Sequence, residues 1–161
     1  MASSVFYSFH YERDVNRVQL VQNINALEGQ PLLTPQAWES VRRRGTAAVA
    51  EWIDEQMKYK KAVIVLVGRE TASRDWVQYE INKAWADKRP LLGIAIHGLS
   101  SFGSVDSAGP NPFDAAGLPA SRIPLFDPTQ RDYLGRIDSK ATYTRLADSL
   151  VTWSTMGVVR K

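Results

Sequence analysis

One carboxylate in this chain stands where ordinary packing would not put it. In the segment Ser73–Trp85 (SRDWVQYEINKAW) the apolar residues Val77, Ile81, Ala84 and Trp85 recur at helical spacing. With Val77 at zero on a wheel of about 100° per residue, Ile81 falls near +40°, Ala84 near −20° and Trp76 near −100°. Glu80 falls at about −60°, between Trp76 and Ala84 and inside the apolar stripe. Asp75, Gln78, Asn82 and Lys83 take the solvent-facing positions instead. An inward carboxylate is costly unless it is paired or hydrogen-bonded. Glu80 is therefore expected either to pair with Arg74, Arg69 or loop amides, or to act on a ligand from a partly apolar pocket.

Other reactive side chains gather after strand-like runs. Ser8, Phe9 and His10 end the first run, Gly68, Arg69 and Glu70 follow AVIVLV, and His97 follows LLGIAI. For either histidine alone, a bond to a loop carbonyl is the plainer role. No HxxxH, HExxH or carboxylate cluster offers metal-ligand spacing, so no metal is expected. Neither GxxxxGK[ST] nor GxGxxG is present, which argues against phosphate-loop NTPases and dinucleotide-binding Rossmann domains. A Ser8–His10 or Ser8–His97 nucleophile pair would lack both a GxSxG elbow and an evident orienting carboxylate.

These residues need a scaffold that brings strand ends together. Ala62–Val67 and Leu91–Ile96 are apolar at nearly every position, as in parallel strands covered on both faces. Val5–Phe9 reads as a further strand, Arg122–Phe126 as a last one near an edge, and Gly29–Trp38, with Pro31 and Pro35, as at most a short edge strand. Helical stripes lie between: Val15, Val18, Val21 and Ile24; Val49, Trp52, Ile53 and Met57; and the stripe around Glu80. A last helix carries Tyr143, Leu146, Ala147, Leu150 and Trp153 after Ser139, a plausible N-cap. This alternation predicts an α/β sandwich of three layers around a mainly parallel, five-stranded sheet in flavodoxin-like order. The Gly-, Ser- and Pro-rich stretch His97–Ser121 reads as a long loop leaving the edge where such sheets bind ligands.

Composition bounds the chemistry further. The 161 residues suit a single domain spanning 1–161, with 44% hydrophobic and 23% charged residues. Cysteine is absent, which removes disulfides, thiolate metal sites and cysteine nucleophiles. A net charge of +3 is too small to argue for nucleic acid. The longest apolar runs are far shorter than the ~20 residues of a membrane span. The start, Met1–His10, lacks the basic and apolar stretches of a secretory signal, so a cytoplasmic location is expected. An enzyme on so short a chain is expected to act through a diffusible product or a separate partner.

Four segments, in order, carry a resemblance: VFYSFHYERD (Val5–Asp14), VGRETASRDWVQYEINKAW (Val67–Trp85), LLGIAIHGL (Leu91–Leu99) and GPNPFD (Gly109–Asp114). Together they resemble the TIR-like proteins of the ThsB family of Thoeris anti-phage defence. The resemblance implies a flavodoxin-like TIR fold and cleavage of NAD as substrate, with no separate cofactor. It implies that Glu80, matching the catalytic glutamate of enzymatic TIR domains, is the catalytic residue. It further implies a cyclic ADP-ribose isomer as second messenger, a separate effector protein as its receiver, and members nearly silent until infection, with a phage protein as a possible trigger. Self-association is a further expected contact.

Phe6, Ser8 and His10 share one side of the first strand by alternation, with Phe9 at its end. Phe6 and Phe9 could stack on a base or simply pack in the core, and Ser8 and His10 could bond ribose or amide groups. Arg74 could meet the pyrophosphate or pair with Glu80. Trp38 and Trp76 are further candidates for the substrate pocket. Two other classes compete with this reading: a non-catalytic TIR-like interaction module, and an N-glycosyl enzyme resembling nucleoside deoxyribosyltransferases, which also places a glutamate at the rim of a flavodoxin-like sheet.

Overall fold

A computed structural model describes residues 3–161; Met1 and Ala2, where the leader reading begins, lie outside them. Four parallel strands, β1 (Val5–Ser8), β2 (Ala62–Val67), β3 (Leu91–Ala95) and β4 (Leu125–Phe126), lie side by side in that order. The helices are α1 (Tyr11–Asn23), α2 (Pro35–Arg43), α3 (Thr46–Met57), α4 (Asp75–Ala86), α5 (Pro112–Ala115) and α6 (Ser139–Ser154). Every residue of β1, β2 and β3 is buried, because helices cover both faces of the sheet. On one face Val18 and Val21 of α1 and Leu146 and Leu150 of α6 pack against Tyr7, Ile64 and Leu66. On the other, Val49 and Ile53 of α3 and Val77 and Ile81 of α4 pack against Phe6, Val63 and Val65. Successive strand residues thus feed opposite cores, and the three layers follow.

The expected fifth strand is reduced to a single rung. Val5 N donates to Glu28 O at 2.8 Å and Glu28 N to Ser3 O at 2.8 Å, forming one parallel bridge on the side of β1 away from β2. The next residue in register, Gln30, meets Tyr7 through its side chain, so the backbone ladder ends there. The flavodoxin-like order survives with its outer position vestigial. The strand considered over Gly29–Trp38 is not formed. Pro35 instead opens α2 at the first helical position, where its missing N–H costs nothing, and Thr34 Oγ1 caps the helix by accepting from Ala37 N at 3.1 Å.

Smaller differences are local. β1 stops at Ser8 and β3 at Ala95, one residue short of expectation in each case, and β4 keeps only Leu125–Phe126 of the run from Arg122. The cap of α6 is Asp138, whose carboxylate accepts from Ala141 N at 3.0 Å, and Ser139 is already helical.

His97–Ser121 is a fastened strap. Arg13 grips Asp106 with two bonds, Nε to Oδ2 at 2.9 Å and Nη2 to Oδ1 at 3.1 Å. The buried Arg17 donates to Leu99 O at 2.9 Å and Ser104 O at 3.1 Å while pairing with the buried Asp14. Further on, Gly109 lies so close to the backbone of residues 68 and 69 that a Cβ would come within 2.2 Å of Gly68 O. Asn111 caps α5, which sinks Phe113 fully into the core.

Candidate active site

Helix α1 leaves β1 on one face of the sheet and α4 leaves β2 on the other. Divergence of neighbouring crossovers opens a crevice beyond the strand ends, the usual ligand position in open α/β sheets. A cavity of about 290 Å³ lies here. Phe6, Phe9, Trp38, Trp52 and Trp76 give it an aromatic wall, and His10, Arg74 and Glu80 supply polar groups.

Glu80 lies on the second turn of α4 and is 8% exposed. Its position in the apolar stripe follows from the helical period, since Val77, Ile81 and Ala84 dock the same face onto the sheet. Ser8 Oγ donates to Glu80 Oε1 at 2.5 Å. Burial pushes the carboxyl up to about 8, while the bond from Ser8 opposes the rise by favouring the ionised form. The arginine pair considered for Glu80 is not formed. Arg74 precedes α4 and turns outward to Glu70, its Nη2 lying 3.0 Å from Oε1. A carboxylate without a cation beside it can answer positive charge that arrives with a ligand.

The other candidates fall into place around this pair. Ser8 is fully buried behind Glu80 and does not line the cavity. Phe6, Phe9, His10, Trp38, Arg74 and Trp76 do line it. His10 is 6% exposed; burial and then Arg74 hold its imidazole below the usual histidine range, leaving it neutral at pH 7. Its Nε2 lies 3.4 Å from Glu12 Oε2, and its buried Nδ1 has no hydrogen-bond partner among the described residues. His97 lies elsewhere, its Nε2 3.3 Å from Thr129 Oγ1. No three described His, Asp or Glu side chains gather closely enough to hold a metal ion.

Several lining residues carry no signal in the sequence. Tyr11 joins Phe9 and Trp38 in a chain of tilted rings with centroids 6.0 and 5.6 Å apart, and its hydroxyl donates to Leu33 O. Trp52, whose spacing marks it as core, meets Trp38 edge-on at 6.2 Å. Glu12 accepts from Trp38 Nε1 at 3.4 Å and Arg42 Nη1 at 3.2 Å, fastening α2 across the mouth. Only the aromatic composition of Phe9–Tyr11 and the tryptophans hinted at such a wall.

Comparison with known proteins places the chain in a family. Residues 6–101, more than half of the chain, match the family model described as "Thoeris protein ThsB, TIR-like domain". The chain belongs to the Thoeris ThsB family. The matched stretch runs from β1 through α4 to just beyond β3, so it contains both Ser8 and Glu80. A relative from Bacillus cereus (strain MSX-D12), named "Putative cyclic ADP-D-ribose synthase ThsB1", is 32% identical over 123 residues. That match takes in 73% of this chain but only 64% of the relative's own length. The flavodoxin-like sandwich is accordingly the TIR-like fold of the ThsB family, with a single bridge at the outer position of its sheet.

Proposed function

We propose that this ThsB-family protein cleaves the nicotinamide–ribose bond of NAD and closes the ADP-ribosyl group into a cyclic ADP-ribose isomer, a messenger for a separate effector in anti-phage defence. The observation that carries this reading is the buried Glu80 carboxyl, held by Ser8 at the end of an aromatic cavity. The name of the Bacillus cereus relative supports it as well.

The chemistry suits a single carboxylate. Cleavage of an ordinary glycoside uses two, because the leaving oxygen must be protonated as the ring becomes oxocarbenium-like. Nicotinamide departs from a cationic pyridinium, taking the electron pair of the C1′–N bond and leaving neutral, so it needs no general acid. Glu80 then acts by accepting hydrogen bonds from the ribose hydroxyls and stabilising positive charge as it develops on the ring. Desolvation raises the affinity of Glu80 for a proton in the free protein, and a bound pyridinium favours its ionised form. Closure needs a nucleophile from the far end of the same molecule. An adenine ring nitrogen attacks without losing a proton and takes up the positive charge, whereas a ribose hydroxyl must give up its proton, which Glu80 can accept. Aromatic walls that hold adenine against C1′ and exclude water favour closure over hydrolysis by proximity.

The decisive experiment incubates purified wild type and Glu80→Gln with NAD, alone and with lysate of phage-infected cells, and separates products by chromatography and mass spectrometry. Nicotinamide and a cyclic isomer from wild type, with turnover lower by about 100-fold or more in Glu80→Gln, support the assignment. Equal turnover by the two proteins would remove Glu80 from the mechanism. Turnover of nucleosides without NAD would point to the deoxyribosyltransferase-like reading.

A further inference from the structure

The outer edge of β1 is completed by a side chain. After the single rung at Glu28, the Gln30 carboxamide takes the place of a peptide group: Tyr7 N donates to Gln30 Oε1 at 2.8 Å and Gln30 Nε2 donates to Tyr7 O at 2.7 Å. Gln30 is 3% exposed, and its own backbone carbonyl accepts from Gln22 Nε2 of α1 at 3.0 Å. A carboxamide carries the same donor and acceptor as a peptide, so both buried main-chain groups of Tyr7 are satisfied. The backbone itself is released from the sheet one rung early. Pro31, Leu32 and Leu33, which form no strand, line the cavity.

We propose that Gln30 is a positioning residue for the Glu80 site: its amide locks the last rung of β1 and thereby holds Ser8 Oγ against Glu80 and the 31–33 wall over the cavity. Ser8 follows Tyr7 directly, and β2 supports it on one edge only, through the pairing of Ser8 with Val65. With the Gln30 rung removed, the end of β1 is held from that one side. Other side chains do not replace the carboxamide. Ionised glutamate lacks the donor that meets Tyr7 O, methionine keeps the shape without either bond, and asparagine is one methylene too short to reach both groups.

The test compares wild type with Gln30→Met and Gln30→Glu by amide hydrogen exchange and by carboxyl-carbon NMR titration of Glu80, neither of which needs substrate. In Gln30→Met the Tyr7 amide is expected to exchange about 10-fold faster or more, while Val5, bonded to Glu28, keeps its protection. The Glu80 titration is expected to move upward, because a loosened Ser8 no longer favours the ionised form. Gln30→Glu keeps both groups while its carboxyl is protonated and only the acceptor once ionised, so protection of Tyr7 is expected to fall to an intermediate degree as pH rises. Unchanged exchange at Tyr7, or an unmoved Glu80 titration in a variant that has merely lost thermal stability, would overturn the proposal. Should Gln30→Met fail to fold, slow exchange of the Gln30 side-chain amide protons in wild type provides the reading, and fast exchange there counts against the rung. A kinetic arm, kcat against KM for NAD, rests on the proposed function. Altered titration without NAD turnover, alone and with lysate of phage-infected cells, would keep the positioning role and discard the NAD reading.

Discussion

Ser8 Oγ and Glu80 Oε1 lie 2.5 Å apart although 72 residues separate them in the chain, so the end of β1 and the second turn of α4 share one hydrogen bond at the cavity wall. That bond opposes the rise in proton affinity that burial imposes on Glu80. Consequences for pH dependence follow from its sign.

Ser8→Ala removes a donor that favours the ionised carboxylate, so the Glu80 midpoint is expected to rise from about 8 by up to about one unit. If the ionised form is the active one, turnover of NAD near pH 7 falls by about 3- to 10-fold and recovers at higher pH. A pH–rate profile of the two proteins checks this. A uniform loss across the range would mean that Ser8 acts by something other than the proton equilibrium.

Glu80→Gln is expected to stabilise the fold in a pH-dependent way. The folded-state carboxyl titrates at about 8 and the free side chain at about 4.5, so between these values the unfolded chain gives up a proton that the folded chain keeps. Wild-type stability therefore declines as pH rises from about 4.5 to 8, and glutamine removes that decline. Denaturant midpoints should be similar near pH 4 and diverge toward pH 9, by an amount on the order of a few kcal/mol.

Trp38→Ala takes away the ring that bridges Tyr11 and Trp52. Because α2 fully buries only Val41, the fold is expected to survive. KM for NAD is expected to rise by about 10-fold, equivalent to the ~1.4 kcal/mol of a modest aromatic contact, with a smaller effect on kcat. Steady-state kinetics with Trp38→Phe as the conservative partner distinguishes stacking from simple filling of space.

Gly109→Ala places a methyl group 2.2 Å from Gly68 O and 2.6 Å from Arg69 O, both backbone atoms with little room to yield. Loss of about 1–3 kcal/mol is expected by urea denaturation. Limited proteolysis should then open the 97–121 strap first, since that is the segment pushed away.

The inward face of Glu80, the buried strands Ala62–Val67 and Leu91–Ala95, and the helical stripes on either side are legible in the sequence because each is written in a repeat of 2 or 3.6 residues within one element. Motif order over residues 6–101 likewise suffices to mark the ThsB family. Tertiary structure decided what periodicity does not encode. It chose Ser8 over Arg74 as the partner of Glu80, because the β1–β2 register brings Ser8 beneath α4 while Arg74, just outside the helix, finds Glu70 at 3.0 Å. It turned Pro35 into the start of a helix, since Thr34 was free to cap it. It replaced a fifth strand with one bridge and the Gln30 amide, a substitution visible only once Tyr7 is found with both main-chain groups facing a side chain. Partner choice depends on distances between elements far apart in the chain, and those distances exist only after the sheet and its two cores have assembled.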